Sequence, residues 1–220
     1  MINELLNHED PWVREKASHI NQLEEMHRDG EISTEEYVEL LEDITRTELP
    51  IEMREKIIML VEAIQFATEM HKGQVRKYTG EAYITHPVAV ADLVEEYMDA
   101  NGYSEDEIMD AMTIAVLHDT VEDTEATEED IFQMYGADIA SGVWFLTKCP
   151  DYVGNRRIRK KICEDRLARA PQIIKIIKTF DMYHNSLTLE RDDPKFYKVF
   201  MVETASLLSA MKTTEIFPKK

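Results

Sequence analysis

The chain has 220 residues, 44 of them Asp or Glu against 25 Lys or Arg, with a net charge of -19 and 44% hydrophobic residues. That length buries one full core plus a small appendage, and so acidic a chain repels phosphate backbones, which excludes a general nucleic-acid binder. Met1-Ile2-Asn3-Glu4 shows no basic stretch followed by an apolar run and no segment stays apolar long enough to span a bilayer, so neither secretion nor membrane insertion is expected.

Taken from the N terminus, Asn21-Gln22-Leu23-Glu24-Glu25-Met26-His27 runs helically into Arg28-Asp29-Gly30. Ser33 and Glu36 then form a capping box that opens a second helix, with Tyr37, Leu40, Leu41 and Ile44 along one side. This predicts a helical hairpin with one apolar face, a unit of residues 1–50 that Pro50 separates from residues 51–220. His8, His19 and His27 lie in this acidic unit and read as solvated or capping side chains.

Beyond Pro50, Ile57, Leu60, Val61, Ile64 and Ala67 recur at the helical period, as do Ile108, Ala111, Met112 and Ala115. Nothing alternates apolar with polar over the length of a half-buried strand, so the fold class is all-α. Tyr78-Thr79-Gly80-Glu81-Ala82-Tyr83 is the clearest break between two helical patterns, and His86-Pro87 marks the start of the next. Ser104 with Glu107 and Thr127 with Asp130 box further helix starts, Pro171 and Pro194 suit first turns, and Tyr135-Gly136 reads as a stop. Cys149 and Cys163 are too few for a disulfide framework and wrongly spaced for a zinc knuckle, so they read as free thiols of a cytoplasmic protein.

The chemistry concentrates in Leu117-His118-Asp119-Thr120-Val121-Glu122-Asp123-Thr124. On a continuous helix Glu122 stacks over His118 and Asp123 over Asp119, giving one imidazole and three acids on a small patch. Such a cluster is costly unless a cation or a reaction uses it, which points to a metal-assisted hydrolase. Further ligands must come from elsewhere in the chain. His86 sits at a helix N-terminus, where a capping or core role is the plain alternative, and Asp181 follows the apolar run Ile173-Ile174-Lys175-Ile176-Ile177, so it is a buried acid in need of a charged partner.

Three segments taken together closely resemble one family: His71-Lys72-Gly73-Gln74-Val75-Arg76-Lys77, Thr79 through Ala91, and Leu117 through Thr124. They resemble the hydrolase domain of RelA/SpoT-type alarmone enzymes, which are HD-superfamily phosphohydrolases. Thr127 to Ile131, Tyr135-Gly136, Leu146-Thr147-Lys148 and Lys178 to Leu189 continue the likeness in order, so it covers residues 55–190 and leaves the hairpin outside. The resemblance implies an HD-domain helical bundle preceded by the N-terminal hairpin. It implies that His86, His118, Asp119 and Asp181 hold a divalent metal, most often manganese, and that Glu122 and Asp123 handle the attacking water. It places Arg76 and Lys77 at the nucleotide end of the pocket, and Asn185 and Thr188 against the nucleoside. The implied reaction removes the 3′-pyrophosphate of ppGpp or pppGpp. The likeness stops before any synthetase segment, so degradation alone is expected. Leu23 to Ile44 also resembles SHOCT hairpins more loosely, which implies homo-oligomerisation through that unit; a hairpin packed on its own domain is the alternative.

Two departures bear on the substrate. Phe180 and Met182 flank Asp181 where the family pattern has an Ala and a basic residue, and Ala82 replaces a usual Pro before His86. These keep a second reading open, an HD phosphohydrolase acting on another phosphorylated nucleotide such as NADPH or a nucleoside polyphosphate. A third is a non-catalytic binding or assembly protein, against which the intact Glu122-Asp123 pair argues. Charge is unevenly spread, at -12 over residues 1–70, -14 over 71–140 and +7 over 141–220. The basic run Arg156-Arg157-Ile158-Arg159-Lys160-Lys161 is either a solvated helix face or, joined by Lys148, Lys175 and Lys178, the positive potential that a polyanionic nucleotide substrate requires.

Overall fold

Side chains of Ser104, Thr127, Asn155 and Asp193 cap four of the helix starts. In the computed structural model the described residues are 51–218 and, further upstream, 20, 22, 23, 26–28, 30, 32–34, 36–38 and 40. Helix α1 (Ile51–Met70) follows Pro50, and α2 (Thr85–Ala100) follows the loop around Gly80. Ser104 opens α3 (Glu105–Leu117) with the full capping box that its spacing predicts: its hydroxyl accepts from Glu107 N, and the Glu107 carboxylate accepts from Ser104 N at 3.0 Å. A single turn, α4 (Thr120–Asp123), comes next. Thr127 opens α5 (Glu128–Leu146), and the shorter Asp130 closes that box at 2.8 Å from Thr127 N. After a 3-10 turn at Asp151–Val153, Asn155 caps α6 (Arg156–Arg169), and α7 (Gln172–Asp192) follows. Asp193 caps α8 (Pro194–Met211), in which Pro194 takes the first-turn position expected of it.

Among the described residues the only β-pairing is a single bridge, Val75 to Ala82, so the all-α class holds. Two sequence expectations are refined. Pro171 sits outside the first turn of α7, at its N-cap, because its ψ of 155° is extended. Gly136 does break the helix, with φ 82° and ψ 178°, but helical geometry resumes at once, so the expected stop is a kink within α5.

The chain divides into two compact units, Met1–Gln65 and Phe66–Lys220. In the first unit, Gly30 turns with φ 74°. Across that turn His27 bonds Thr34 Oγ1 at 3.1 Å and stacks on Tyr37 at 4.8 Å. Ser33 and Glu36 form their reciprocal box. The expected roles of His8 and His19 lie outside the described residues.

In the second unit α2 packs along α3 and across α7, α5 packs on α3, and α6 on α8. Val90, Val94 and Met98 on α2, Ala111 and Ala115 on α3, and Ile176 and Ile177 on α7 are all fully buried. Small side chains let the helices approach closely. A Cβ placed on Gly142 of α5 would stand 2.5 Å from Ile114 Cδ1 of α3. No helix among the described residues is long and apolar enough to cross a membrane.

Candidate metal centre and active site

The spacing that builds the core also aims the site. His86 lies one turn before Val90 on the buried face of α2, and Asp181 lies one turn beyond Ile177 on the buried face of α7. His118 follows the last residue of α3 and is itself buried. Three helices thus bring His86, His118 and Asp181 together, with one ligand-type atom from each falling within 4.8 Å of the others. Asp119 joins at the edge, its Oδ2 being 3.1 Å from His118 Nε2 and 3.7 Å from His86 Nε2.

The continuous helix expected through His118 and Asp123 is interrupted. His118 Nδ1 donates to Ala115 O at 2.7 Å and the Thr120 hydroxyl donates to Leu117 O at 2.7 Å. Side chains thereby take carbonyls that a longer α3 would use for its own ladder, and the chain restarts as α4. Glu122 consequently does not pair with His118. Its carboxylate accepts from Lys148, from the backbone N at 3.1 Å and from the ammonium as well.

Tyr83 links the two acidic groups. Its hydroxyl lies 2.8 Å from Asp119 Oδ2 and 3.1 Å from Asp123 Oδ2, and burial with the two carboxylates pushes its pKa far up, so it stays a proton donor. Tyr83 stacks on the buried His71 at 4.6 Å. His71 bonds Gln74 Oε1 at 2.9 Å, and Gln74 Nε2 donates to Asp123 O at 2.8 Å. The segment His71 to Gln74 therefore braces Asp123 from below.

The electrostatics are those of a paired, buried cluster. Burial opposes the Asp181 charge, yet Lys178 Nζ at 2.6 Å from Oδ2, with both imidazoles, holds this carboxylate well below its ordinary range. The charged partner that a buried acid demands is thus in part a lysine. Burial likewise disfavours an Asp119 anion, and His118 outweighs it, so that pKa is lowered too. For His118, burial lowers the pKa but Asp119 and Asp181 more than offset it, to about 10. Burial, the neighbouring His86 and Arg76 lower His184 to about 4.

The remaining expected residues divide. Arg76 donates to Asn185 Oδ1 at 2.8 Å, and Asn185 Nδ2 donates to Asp181 Oδ1 at 2.7 Å, so Arg76 and Asn185 are wired to the cluster. Lys77 turns instead to Tyr78 OH at 3.1 Å, and the Thr188 hydroxyl bonds back to Asn185 O at 3.4 Å. Sequence reasoning did not single out Tyr83, Gln74 and His184 as site residues, and named Lys178 only as a source of positive potential. The usable signal for Lys178 and His184 was their spacing of three residues on either side of Asp181, which puts them on its face of α7.

The donor set suits a metal. With His118 Nδ1 committed to donating to a carbonyl, Nε2 is the nitrogen that can offer a lone pair once its own proton has left; it makes no hydrogen bond, and Asp119 Oδ2 at 3.1 Å is its ion-pair neighbour. Two imidazole nitrogens with carboxylate oxygens form a mixed N/O site for a divalent ion of the Mn, Fe or Zn type.

A family model described as an HD domain matches residues 63–152. The MESH1 guanosine-3′,5′-bis(diphosphate) 3′-pyrophosphohydrolase of Danio rerio is 31% identical over 148 residues, covering 66% of this chain and 77% of that protein. That of Xenopus tropicalis is 33% identical over 138 residues and is covered over 73% of its length. The chain belongs to this HD-domain family of 3′-pyrophosphohydrolases. Within the family it is 31% identical over 179 residues to the bifunctional SpoT of Escherichia coli (strain K12), of which it spans 24%. A solved structure, a metazoan orthologue of SpoT that hydrolyses ppGpp and plays a role in starvation responses, superposes with a TM-score of 0.60 at 25% identity, covering 72% of this chain and 93% of that one. HD domains bind a divalent metal, and the His86, His118 and Asp181 group is where this chain offers one a site.

Proposed function

We propose that this chain hydrolyses the alarmone (p)ppGpp in a metal-dependent reaction, giving GDP or GTP and pyrophosphate. The observation that carries the reading is the convergence of His86, His118 and Asp181, with His118 Nε2 turned toward the Asp119 and Asp181 carboxylates, beside the Asp119, Tyr83 and Asp123 network. Relatives named for the same reaction support the substrate.

His86, His118, Asp119 and Asp181 would hold the ion, and Mn²⁺, the ion that the family resemblance implies, is among those the mixed N/O set suits. When bound it supplies Lewis acidity toward the phosphate and makes water easier to deprotonate. Asp123 is the group best placed to orient the attacking water and take its proton, because its position is fixed from two sides, by Tyr83 on the carboxylate and by Gln74 on the backbone. Glu122 is tied to Lys148, so it places a cation near the site and shares the water with Asp123. Arg76, held by Asn185, presents positive charge to the substrate's phosphates. Cys149 and Cys163 are unbridged, which suits a reducing cytoplasm.

The test is incubation with Mn²⁺ and, separately, ppGpp, pppGpp, NADPH and common nucleotides. Pyrophosphate release confined to ppGpp and pppGpp is expected. Phosphate release from NADPH or another nucleotide, with ppGpp untouched, would overturn the substrate, and silence throughout would leave a binding protein.

A further inference from the structure

The two imidazoles of the cluster are oriented by different kinds of partner. His118 Nδ1 meets a backbone carbonyl, which can only accept, so its proton is placed once and for all. His86 Nδ1 meets another imidazole, His184 Nδ1, at 2.8 Å. The rings lie within 29° of parallel with centroids 4.9 Å apart, and a contact that short between two ring nitrogens holds one proton. His86 Nε2 faces the cluster, 3.1 Å from Asp181 Oδ1. For that nitrogen to offer a lone pair to an ion, the His86 proton must lie on Nδ1, and His184 Nδ1 must accept it.

We infer that His184 is the positioning residue that fixes the metal-binding tautomer and ring orientation of His86; the inference rests on the metal reading above and deepens it. His184 lies three residues beyond Asp181 on α7, so one helix face supplies a ligand of its own and the acceptor that aims the ligand from α2. The affinity of the site then depends on the α2–α7 pairing through a single hydrogen bond. Partners of this kind, outside the ligand shell, typically carry ~10–100-fold in metal affinity.

The experiment measures Mn²⁺ affinity by calorimetry on the metal-stripped full chain, for wild type, His184→Phe and His184→Asn. The Asn side chain keeps an acceptor oxygen where the His184 Nδ1 now stands, whereas Phe keeps bulk and loses the acceptor. His184→Phe is expected to weaken binding about 10–100-fold and His184→Asn to restore most of it. Equal affinity of His184→Phe and wild type, or a His184→Asn as weak as His184→Phe, overturns the proposal. A second readout needs no variant: nitrogen-15 NMR of the Zn²⁺-loaded wild type is expected to show His86 protonated at Nδ1, and a proton on Nε2 overturns the assignment. Wild type that binds no divalent ion at all overturns the metal reading itself, and is told apart because no affinity is left to compare.

Discussion

At the scale of single residues, the cluster stores protons that a metal must displace. In the chelated protein His118 is raised to about 10, so it is protonated near neutrality, and an ion can bind only as that proton leaves. Mn²⁺ affinity is therefore expected to rise with pH between about 6.5 and 10, with proton release visible as a dependence of binding heat on buffer ionisation enthalpy. Heats independent of the buffer would contradict this. The same groups set the pH dependence of metal-free stability. A raised His118 contributes stability that is complete below pH 6.5 and lost as pH climbs through about 10. His184, lowered to about 4, and His86, also lowered by burial, are neutral in the fold but charge in the unfolded chain, so they cost stability as pH falls below 6.5. These three groups place the stability maximum near pH 6.5, which thermal unfolding in chelator across pH 4–10 can read. For the chemistry, Asp123→Asn is expected to lower kcat by about 10²–10⁴ while leaving Mn²⁺ affinity near wild type. A lost metal affinity with kcat restored at high Mn²⁺ would instead make Asp123 a ligand. The gathering of His86, His118 and Asp181, with Asp119 beside them, was legible through the family resemblance more than through helical register. Tyr83 and Gln74 were not, because their partners in the Asp119–Asp123 turn come from distant sequence and only the fold supplies them.

At the scale of elements, the site depends on how closely α5 lets α3 settle. Gly142 has no space for a Cβ against Ile114, and α3 ends at Leu117, directly before His118. Gly142→Ala gains about 0.5–1 kcal/mol in helix formation but overpacks this contact at a cost of roughly 1–3 kcal/mol. A net loss on the order of 1 kcal/mol is expected, seen as a lower midpoint in urea, with recovery in the double variant Gly142→Ala, Ile114→Val. A raised midpoint for the single variant would mean that the side chain relaxes freely. Helix starts were the best-read elements, since Ser104 with Glu107 and Thr127 with Asp130 carry their instructions locally. The break after Leu117 was missed because it arises from the His118 and Thr120 side chains bonding their own helix, which periodicity does not reveal.

At the scale of the whole molecule, the charge is partitioned, with the basic excess of residues 141–220 offsetting an acidic remainder. The run at the start of α6 is largely engaged: Lys160 lies 2.8 Å from Glu203, Arg156 3.5 Å from Glu203, and Lys161 2.8 Å from Asp165. Exposed pairs of this kind contribute little to stability, which accords with the solvated-face reading. The cations nearest the cluster are Lys178, Arg76 and Lys148. An ion held by His86, His118 and Asp181 would join α2, α3 and α7 and stabilise the fold as a whole. At about 100 times its dissociation constant it adds about 2.7 kcal/mol, or roughly 5–10 °C in Tm for a chain of this size. A Tm unchanged by Mn²⁺ would place the ion outside the folded core. The most direct test of the whole account is a titration of the chelated protein with Mn²⁺ while pyrophosphate release from ppGpp is followed. Activity should be absent in chelator, rise to saturation at one ion per chain, and yield GDP and pyrophosphate in equal amounts. Turnover of ppGpp in chelator, or saturating Mn²⁺ with no pyrophosphate released, would contradict it.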